Sequence, residues 1–424
     1  MSFQQGLSGL NATSKSLEII GNNIANASTY GSKMARAEFA DMYASALNGS
    51  GTNSIGIGTN LAAVAQQFTQ GNITTTGNSM DLAINGAGFF QVTDGTNPTM
   101  YSRNGQFKID RLGYIVNNQR QQLMGYPADG SGTIQPGQAK PIQLPTAGIA
   151  PNPSKKINIE MNLDSRAKVT APAAAPLINF KDPATYNNAT SVTVYDAKGQ
   201  EVGLSYYFQK TDNNLWNIFV TANGRAVNGT DDAPEPLTAA PIEFKTDGSG
   251  TVTDVTALPL DITMADLTNP AGALIVTPMN LTLSLTGATQ YGAGFGVTNL
   301  TQDGYAPGQL VGIGIDNSGI VMARYSNGQS KPAGQIELAN FRNPQGLQPV
   351  GGNAWARTYA SGDPVVGVPN EGNMGTLQAG ALEESNIDLT GELVNMITAQ
   401  RIYQANAQSI KTLDQVLQTI TNLR

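Results

Sequence analysis

Cysteine and histidine are both absent from the sequence. Without them the chain cannot contain thiol nucleophiles, disulfides or histidine-based catalytic triads, and nearly all zinc sites are excluded. No apolar run approaches the ~18 residues of a membrane-spanning helix, so we expect no membrane insertion. The first cation along the chain is Lys15. No basic segment precedes it, and we therefore expect no cleavable secretory signal.

Charged side chains are scarce as well. They make up 13% of the residues, about half the usual share, and Asn, Gln, Ser and Thr take their place. The net charge of −7 gives no basic patch for nucleic acid or acidic lipid. We therefore expect no nucleic-acid partner.

The motifs that could hold a cofactor or a metal are incomplete. The glycine-rich stretch 292–296 is followed by Val297, where a dinucleotide loop needs its third glycine. Asp316–Gly319 has neither the length nor the terminal Glu of a calcium loop, and we interpret it as a tight turn. Glu383 and Glu384 could form a catalytic carboxylate pair, but adjacent helical residues point apart, so we interpret them as negative charge at a helix N-terminus. We expect no cofactor, no metal and no enzymatic activity.

The region from Ile387 to Leu423 predicts one long helix, because it contains no proline and Gly391 is its only glycine. Ser385 or Asn386 can cap its start. Such a helix is roughly 55 Å long, longer than an ordinary domain is wide, and its apolar stripe needs a long partner. The stripe consists of residues mostly three or four positions apart: Leu389, Leu393, Met396, Tyr403, Ala407, Ile410, Leu413, Leu417 and Ile420.

The first residues predict a second helix of the same kind. Its apolar residues recur about every 3.5 positions, which is the coiled-coil spacing: Phe3, Leu7, Leu10, Leu17 and Ile24. The opposite faces are polar, for example at Gln5 and Ser8, which favours a narrow seam; the alternative is that both helices pack on a globular core. The asparagine-rich segment 22–26 should loosen or end the first helix, and Gly31 can close it.

Strand patterns fill the middle of the chain. Phe39–Leu47 permits a short helix, and Leu61–Gly71 looks extended. From Met80 onward, short alternating runs are separated by hairpin-type turns such as Asn104-Gly105. The pattern predicts a mainly β fold with α-helical termini, in which nested β domains are flanked by helices that form a coiled-coil-like inner core.

Composition suggests where these domains begin and end. Prolines crowd between positions 136 and 153, which indicates a crossing into a second β region, and the first strand style resumes after Gly287. The simplest account is that the second region is inserted into the first. We expect 1–28 with 386–424 to form an inner helical core domain, 29–77 with 370–385 an extended linker region, 78–150 with 287–369 a first β domain, and 151–286 an inserted outer β domain.

Motifs at both ends and in the first β region resemble the bacterial flagellar rod and hook axial proteins. The opening Met1–Asn11 is similar to the start of that family, and the segment that follows carries its motif residues Asn22, Asn23, Ile24, Ala25, Asn26, Thr29, Gly31 and Lys33, with a departure at Ser32, where an aromatic is usual. Segments 83–90 and 101–107 resemble the family's first β motifs, and 385–407 resembles its C-terminal motif. The length, the inserted region and Phe39–Met42 are similar to hook-type rather than rod-type members.

This resemblance implies a tubular polymer of the chain with itself. The terminal helices would line an inner tube, with the stripe residues packed against neighbouring subunits and disordered in the monomer, and the β domains would lie outside. The resemblance also implies a curved flexible tube that works as a universal joint, transmitting torque from the basal body to the filament. Implied partners are the rod, the hook cap, the hook–filament junction proteins and the flagellar type III export apparatus, which would place the chain outside the cell.

Three other functions remain open on the sequence alone. A distal rod subunit has similar ends but is rigid, and the inserted region argues against it. A secreted β-rich adhesin would explain the strands but not the paired terminal helices. An extracellular hydrolase with two carboxylates needs a cleft that the sequence does not indicate.

Overall fold

A computed structural model describes residues 3–43, 56–145, 147–172, 177–247, 249–253 and 257–422. Helix α1 (Phe3–Asn26) begins this part of the chain and helix α2 (Leu389–Asn422) ends it. Strands dominate the segments between them, which confirms a mainly β fold with α-helical termini. The chain divides into two compact units. The first contains Met1–Thr146, Val311–Arg324 and Ser330–Arg424, and the second contains Ala147–Leu310 and Tyr325–Gln329.

A two-stranded hairpin follows α1. Its strands β1 (Ala35–Tyr43) and β2 (Gly56–Gln66) pair antiparallel, with a bulge between Glu38 and Phe39. The short helix predicted over Phe39–Leu47 is therefore wrong as far as Tyr43, because cross-strand pairing with β2 overrides the helical spacing of the apolar residues. The rest of that prediction lies outside the described residues.

Two short strand pairs join the segment that follows the hairpin to the segment that precedes α2. Strand β3 (Ile73–Thr75) pairs with β29 (Ala381–Glu383), and β4 (Leu82–Asn85) pairs with β28 (Thr376–Ala379), both antiparallel. Residues just after the hairpin and residues just before α2 thus lie side by side.

A 13-stranded sheet makes up most of the rest of the first unit. Its strands are β5 (Phe89–Thr93), β6 (Met100–Ser102), β7 (Lys108–Ile109), β8 (Ile115–Val116), β9 (Gln122–Pro127), β10 (Lys140–Pro141), β21 (Leu310–Ile315), β22 (Ile320–Tyr325), β23 (Ser330–Ile336), β24 (Leu338–Asn340), β25 (Gln348–Gly351), β26 (Ala354–Ala356) and β27 (Val365–Gly367). Edge-to-face aromatic pairs cluster in its core, with the Tyr101 and Phe341 ring centroids 4.7 Å apart and those of Phe89 and Trp355 5.8 Å apart.

The second unit contains two five-stranded sheets. One consists of β11 (Lys156–Asp164), β17 (Leu258–Ile262), β18 (Met279–Ser284), β19 (Thr289–Tyr291) and β20 (Gly296–Gln302); the other of β12 (Asn188–Tyr195), β13 (Glu201–Asp212), β14 (Leu215–Ala222), β15 (Arg225–Ala226) and β16 (Ile242–Glu243). A common core joins them, in which Leu163 and Leu283 of the first sheet lie with Phe208 and Trp216 of the second. Such shared burial is what holds two sheets together.

The boundary of the second unit differs from the expected end at residue 286. Strand β20 pairs antiparallel with β11 from Ile157↔Gln302 to Asn162↔Gly296, and β19 pairs with β11 in parallel. Because these hydrogen bonds and the core bind both strands to β11, residues 287–310 belong to the second unit and not to the first β domain. Gly287 marks a turn inside the unit.

The Asp316 loop is a tight turn, as the sequence predicted. Asp316 Oδ1 accepts hydrogen bonds from the backbone N–H groups of Ser318 and Ile320, at 3.0 and 2.9 Å, and Gly319 takes the positive φ of 79° that closes the turn. The carboxylate oxygen is thus occupied by the chain's own amides.

Candidate assembly surface

The two terminal helices pack closely on each other. Helix α1 buries Gly6, Thr13, Ile20 and Asn23. A Cβ built on Gly6 would lie 3.0 Å from Ile410 Cγ1, and one on Gly9 would lie 2.9 Å from Asn406 Nδ2. The buried face of α1 is therefore displaced by one residue from the predicted apolar stripe, and it uses small side chains to let α2 approach.

The hairpin covers part of the polar face of α1. Gln5 Nε2 donates to the Gly56 carbonyl oxygen at 2.7 Å, and Ser8 Oγ donates to the Thr59 carbonyl at 2.6 Å while accepting from the Thr59 N–H at 2.8 Å. Polar residues that a coiled-coil seam would leave in water thus bind β2. Polar and small residues of α1 thus make contacts within the chain, together with the buried Ile20.

Large apolar side chains stay open to solvent on both helices. Phe3 is 53% exposed, Leu389 47% and Leu393 46%. We define the open apolar surface as the exposed residues Phe3, Leu7, Leu389, Leu393, Val394, Ile397, Ile402 and Tyr403. Val394, Ile397 and Ile402 were missed from the sequence because they fall beside the narrow stripe. Large apolar side chains left exposed on a folded chain indicate contact surfaces.

The other stripe residues are covered to different degrees. Leu10, Leu17, Ile24, Met396, Ala407, Ile410 and Leu413 are half-buried. Ile410 faces Gly6 of its own chain and so belongs to the internal helix contact, in contrast to the expected subunit seam. Leu417 and Ile420 lie in α2, but their side chains are outside the described residues.

Asn23 explains why α1 continues through the asparagine-rich segment, where we expected it to loosen. Its Nδ2 donates to the Ala35 carbonyl at 2.8 Å and to Glu392 Oε2 at 3.1 Å, and its Oδ1 accepts from the Ala35 N–H at 2.9 Å. A buried side chain with these partners has no need to compete for helix backbone groups. One residue thereby joins α1, β1 and α2.

The start of α2 is fixed to the same place. Asn386 Oδ1 accepts from the Met34 N–H at 2.8 Å, and its Nδ2 donates to the Gln67 carbonyl at 2.7 Å. Asp388, rather than the predicted Ser385 or Asn386, caps the helix, since its Oδ1 accepts from the Thr390 N–H at 3.0 Å. Asn386 therefore links three segments of the chain by hydrogen bonds, namely its own segment and those of Met34 and Gln67.

A buried group of three charges lies beside the hydrogen bonds of Asn386. Lys33 Nζ is 2.6 Å from Glu383 Oε1, and Arg103 Nη1 is 3.1 Å from Glu383 Oε2. Burial lowers the pKa of the Lys33 ammonium; Glu383 opposes that shift and Arg103 adds to it. Burial also lowers the pKa of the Arg103 guanidinium. Glu383 lies in β29 and is fully buried, so its interpretation as charge at a helix N-terminus is wrong.

The family-motif residues surround this group. Gly31 takes a φ of 70°, its N–H donates to the Glu383 carbonyl at 2.8 Å, and a Cβ there would lie 2.4 Å from the Asn104 nitrogen, so only glycine fits. The Thr29 N–H donates to the Asn26 carbonyl at 3.0 Å just after α1. Asn22 and Ala25 are exposed on α1, whereas Lys33 is buried. The motif therefore encodes the root of the helix pair, which is the region where 31–36, 67–72 and 383–392 meet.

In the described ranges, neither a membrane-spanning helix nor a cluster of three potential metal ligands is present. Neither α1 nor α2 combines the length and apolarity that crossing a membrane would require. Within the same ranges, no three acidic residues come together as a metal-binding group.

Four family models match successive parts of the chain, and all four describe proteins of the bacterial flagellum. Residues 3–33 match the flagella basal body rod protein model, 83–171 the flagellar hook protein FlgE/F/G D1 domain, 162–305 the flagellar basal body protein FlaE D2 domain, and 378–423 the flagellar basal body rod FlgEFG protein C-terminal model. These matches include both helices and parts of both units.

Full-length relatives identify the family. The chain is 41% identical over 436 residues to the flagellar hook protein FlgE of Salmonella typhimurium and 41% identical over 432 residues to that of Escherichia coli, with both chains covered completely in each case. It is 30% identical over 459 residues to the protein of the same name from Borreliella burgdorferi, covering 100% of this chain and 99% of the relative. The chain belongs to the flagellar hook protein FlgE family.

A solved structure supports the fold. The crystal structure of Helicobacter pylori flagellar hook protein FlgE2 aligns with a TM-score of 0.51 at 15% identity, and the alignment covers 73% of this chain and 100% of the other.

This chain is a hook subunit that polymerises with itself as a component of the hook–basal body, and it is structural rather than enzymatic. The adhesin and hydrolase alternatives are thereby excluded.

Proposed function

We propose that the open apolar surface is the seam through which subunits pack side by side, and that the resulting polymer is a curved flexible tube. The observation that carries this proposal is the exposure of Phe3, Leu389 and Leu393 on helices that already use another face for contacts within the chain. Covering these side chains removes apolar area from water at about 25 cal/mol per Å². A repeating contact between unlike surfaces builds an open helical polymer when its rotation does not close into a ring.

In this tube the helix pair forms an inner layer and the β units form the outer layers. We propose 1–28 with 386–424 as the inner core domain and 29–77 with 370–385 as the linker region, as the sequence suggested. The first β domain would comprise 78–146 and 311–369, and the inserted outer domain 147–310. Charge-poor outer surfaces suit contacts that slide when the tube bends, since few ion pairs have to break. The tube would then act as a universal joint that transmits torque from the basal body to the filament.

The proposal includes its partners and location. The ends of such a tube would contact the rod and the hook–filament junction proteins, and growth would occur beneath the hook cap. We propose that the chain reaches this place through the flagellar type III export apparatus, without a cleaved signal, and lies outside the cell. The absence of cysteine suits passage between reducing and oxidising compartments without cross-linking.

Electron microscopy of the concentrated protein tests the proposal. Curved tubes that change curvature between images are the expected result. Straight rigid tubes would contradict flexible-joint function, and monodisperse particles at all concentrations would contradict the seam. Antibody labelling of intact cells tests the location, and labelling confined to permeabilised cells would contradict it.

A further inference from the structure

The buried group at the root of the helix pair takes its three charges from distant parts of the chain. Lys33 precedes the hairpin, Arg103 follows β6, and Glu383 ends β29 just before α2. The side chains of Lys33 and Glu383 are completely buried, and that of Arg103 is 6% exposed. Since synthesis proceeds from the amino terminus, both cations exist in the chain long before the carboxylate does.

Glu383 is the acceptor that holds this group together. Its Oε1 accepts from Lys33 Nζ and from the Gly71 N–H at 3.0 Å, while its Oε2 accepts from Arg103 Nη1. In the described part of the chain, no other carboxylate is paired with either cation. The remaining bonds are to neutral carbonyls, from Lys33 to Thr69 at 2.7 Å and from Arg103 to Gly86 at 2.9 Å.

Without this carboxylate the closed arrangement is strongly unfavourable. Two cations would then be buried next to each other, and burial lowers the pKa of both even with Glu383 present. Among the described residues, Arg103 Nε already has no hydrogen-bond acceptor, so the guanidinium depends on Glu383 and on the Gly86 carbonyl. Removing one partner from a buried ion pair costs far more than the pair contributes, because the partner that remains cannot be solvated.

We propose that Lys33, Arg103 and Glu383 form a completion lock, in which the carboxy-terminal segment supplies the charge that allows the root of the helix pair to close. Until that segment arrives, repulsion between Lys33 and Arg103 keeps 31–36 and 67–72 apart from the β part of the first unit. Closure then brings in Asn386 and Glu392, which fix α2 beside α1. The lock therefore determines whether α2, once present, is held beside α1 for packing.

The test uses full-length chains that differ by one functional group. Glu383→Gln keeps the side-chain shape and removes the charge, and we expect tubes per cell to fall by on the order of 100-fold, which corresponds to about 3 kcal/mol against closure. Glu384→Gln, at the half-buried neighbour, is the matched control and should assemble normally. Secreted Glu383→Gln protein should accumulate at the parent level, because the lock acts on the complete chain; a loss of secretion would overturn the proposal.

A second substitution separates charge from shape. Lys33→Met leaves the Arg103–Glu383 pair, and it should assemble close to the parent level. Combined with Glu383→Gln, it removes the repulsion and should restore tubes at least tenfold over Glu383→Gln alone, as coupled sites do in a double-mutant cycle. In assembled tubes of the double variant, hydrogen exchange of the Gly31 and Gly71 amides should be measurably slower than in any tubes recovered from Glu383→Gln.

The proposal would be overturned if Glu383→Gln assembled at the parent level, or if Lys33→Met gave no restoration. It rests on the proposed function only for its readout. Failure of the parent chain to form tubes would count against the proposed function, whereas normal tubes from both the parent and Glu383→Gln would leave the function intact and remove the lock.

Discussion

Gly6 of the first helix lies directly against Ile410 of the last helix, so that a Cβ on Gly6 would be 3.0 Å from Ile410 Cγ1. The first and last helices of the 424-residue chain are thus in contact at a glycine, which has no side chain to separate them. Gly9 meets Asn406 in the same way, one turn farther along. The internal helix contact depends on small residues and leaves larger apolar residues for other contacts.

This contact predicts a size limit at Gly6. Gly6→Val places a branched side chain against Ile410, which would have to move, and overpacking of this kind costs about 1–3 kcal/mol. We expect assembled tubes of this variant to melt at a lower temperature in calorimetry. Gly21→Val is the control, because a Cβ on Gly21 meets nothing within 4 Å. Equal melting of the two variants would mean that the helices are not this close.

The boundary of the second unit predicts the behaviour of two fragments. Fragment 147–310 retains β19 and β20 on β11, and we expect one cooperative thermal transition by circular dichroism. Fragment 151–286 lacks both strands, which uncovers the edge of β11 next to Ile159 and Met161. It should melt broadly and at lower temperature. Equally cooperative melting of the shorter fragment would show that the unit ends near Gly287.

Tyr126 predicts an alkaline transition. Its hydroxyl donates to the buried Glu337 carboxylate at 2.6 Å, and burial together with Glu337 raises the pKa of Tyr126 to about 12. The folded pKa lies above the ordinary value of 10.0, so the stabilising contribution is complete below pH 10 and is lost as the pH rises through about 12. The melting temperature should therefore fall more steeply between these pH values in the parent than in Tyr126→Phe.

Phenolate absorbance gives an independent measurement of the same group. The titration of Tyr126→Phe should lack one phenolate that forms near pH 12, whereas Tyr359→Phe, at a fully exposed position, should keep it. If the phenolate lost in Tyr126→Phe were instead one that forms near pH 10 in the parent, the contact between Tyr126 and Glu337 would be contradicted.

Much of the fold could be predicted because local patterns and tertiary contacts agree. Short strands separated by turns were predicted from Met80 onward, and Phe89–Thr93 and Ile320–Tyr325 are two of the strands that form there. The helix predicted from Ile387 forms from Leu389. In such segments the apolar periodicity predicts the same element that the tertiary contacts stabilise.

The rest depends on partners far away in sequence. Residues 39–43 show helical spacing but join a hairpin because β2 supplies hydrogen bonds. Asn23 is a poor helix residue in isolation, yet Ala35 and Glu392 satisfy it. The sequence around Glu383 gives no indication that its carboxylate pairs with Lys33 and Arg103. All three residues nevertheless fall within or beside the family motifs, and this position is the one feature of the sequence that could have indicated their importance.

The candidate surface was predicted in part. The apolar stripes identified Phe3, Leu7, Leu389 and Leu393, which are exposed. They also included Ile410, which is occupied within the chain, because spacing does not reveal which side of a helix an internal partner takes. Substituting Ile410 would disturb the internal helix pair first, so it cannot separate the two kinds of contact.

Leu393→Asp tests the central claim most directly, with electron microscopy of the assembled product beside calorimetry of the monomer. Leu393 is 46% exposed near the start of α2, where the helix dipole favours an acidic side chain, so the monomer should melt as the parent does. At a seam the new carboxylate would be buried unpaired at every subunit contact, and no tubes should form. Gln404→Asp, at an exposed polar position of the same helix, should form tubes. Normal tubes from Leu393→Asp, or a large fall in its monomer melting temperature, would contradict the assignment of this surface to subunit packing.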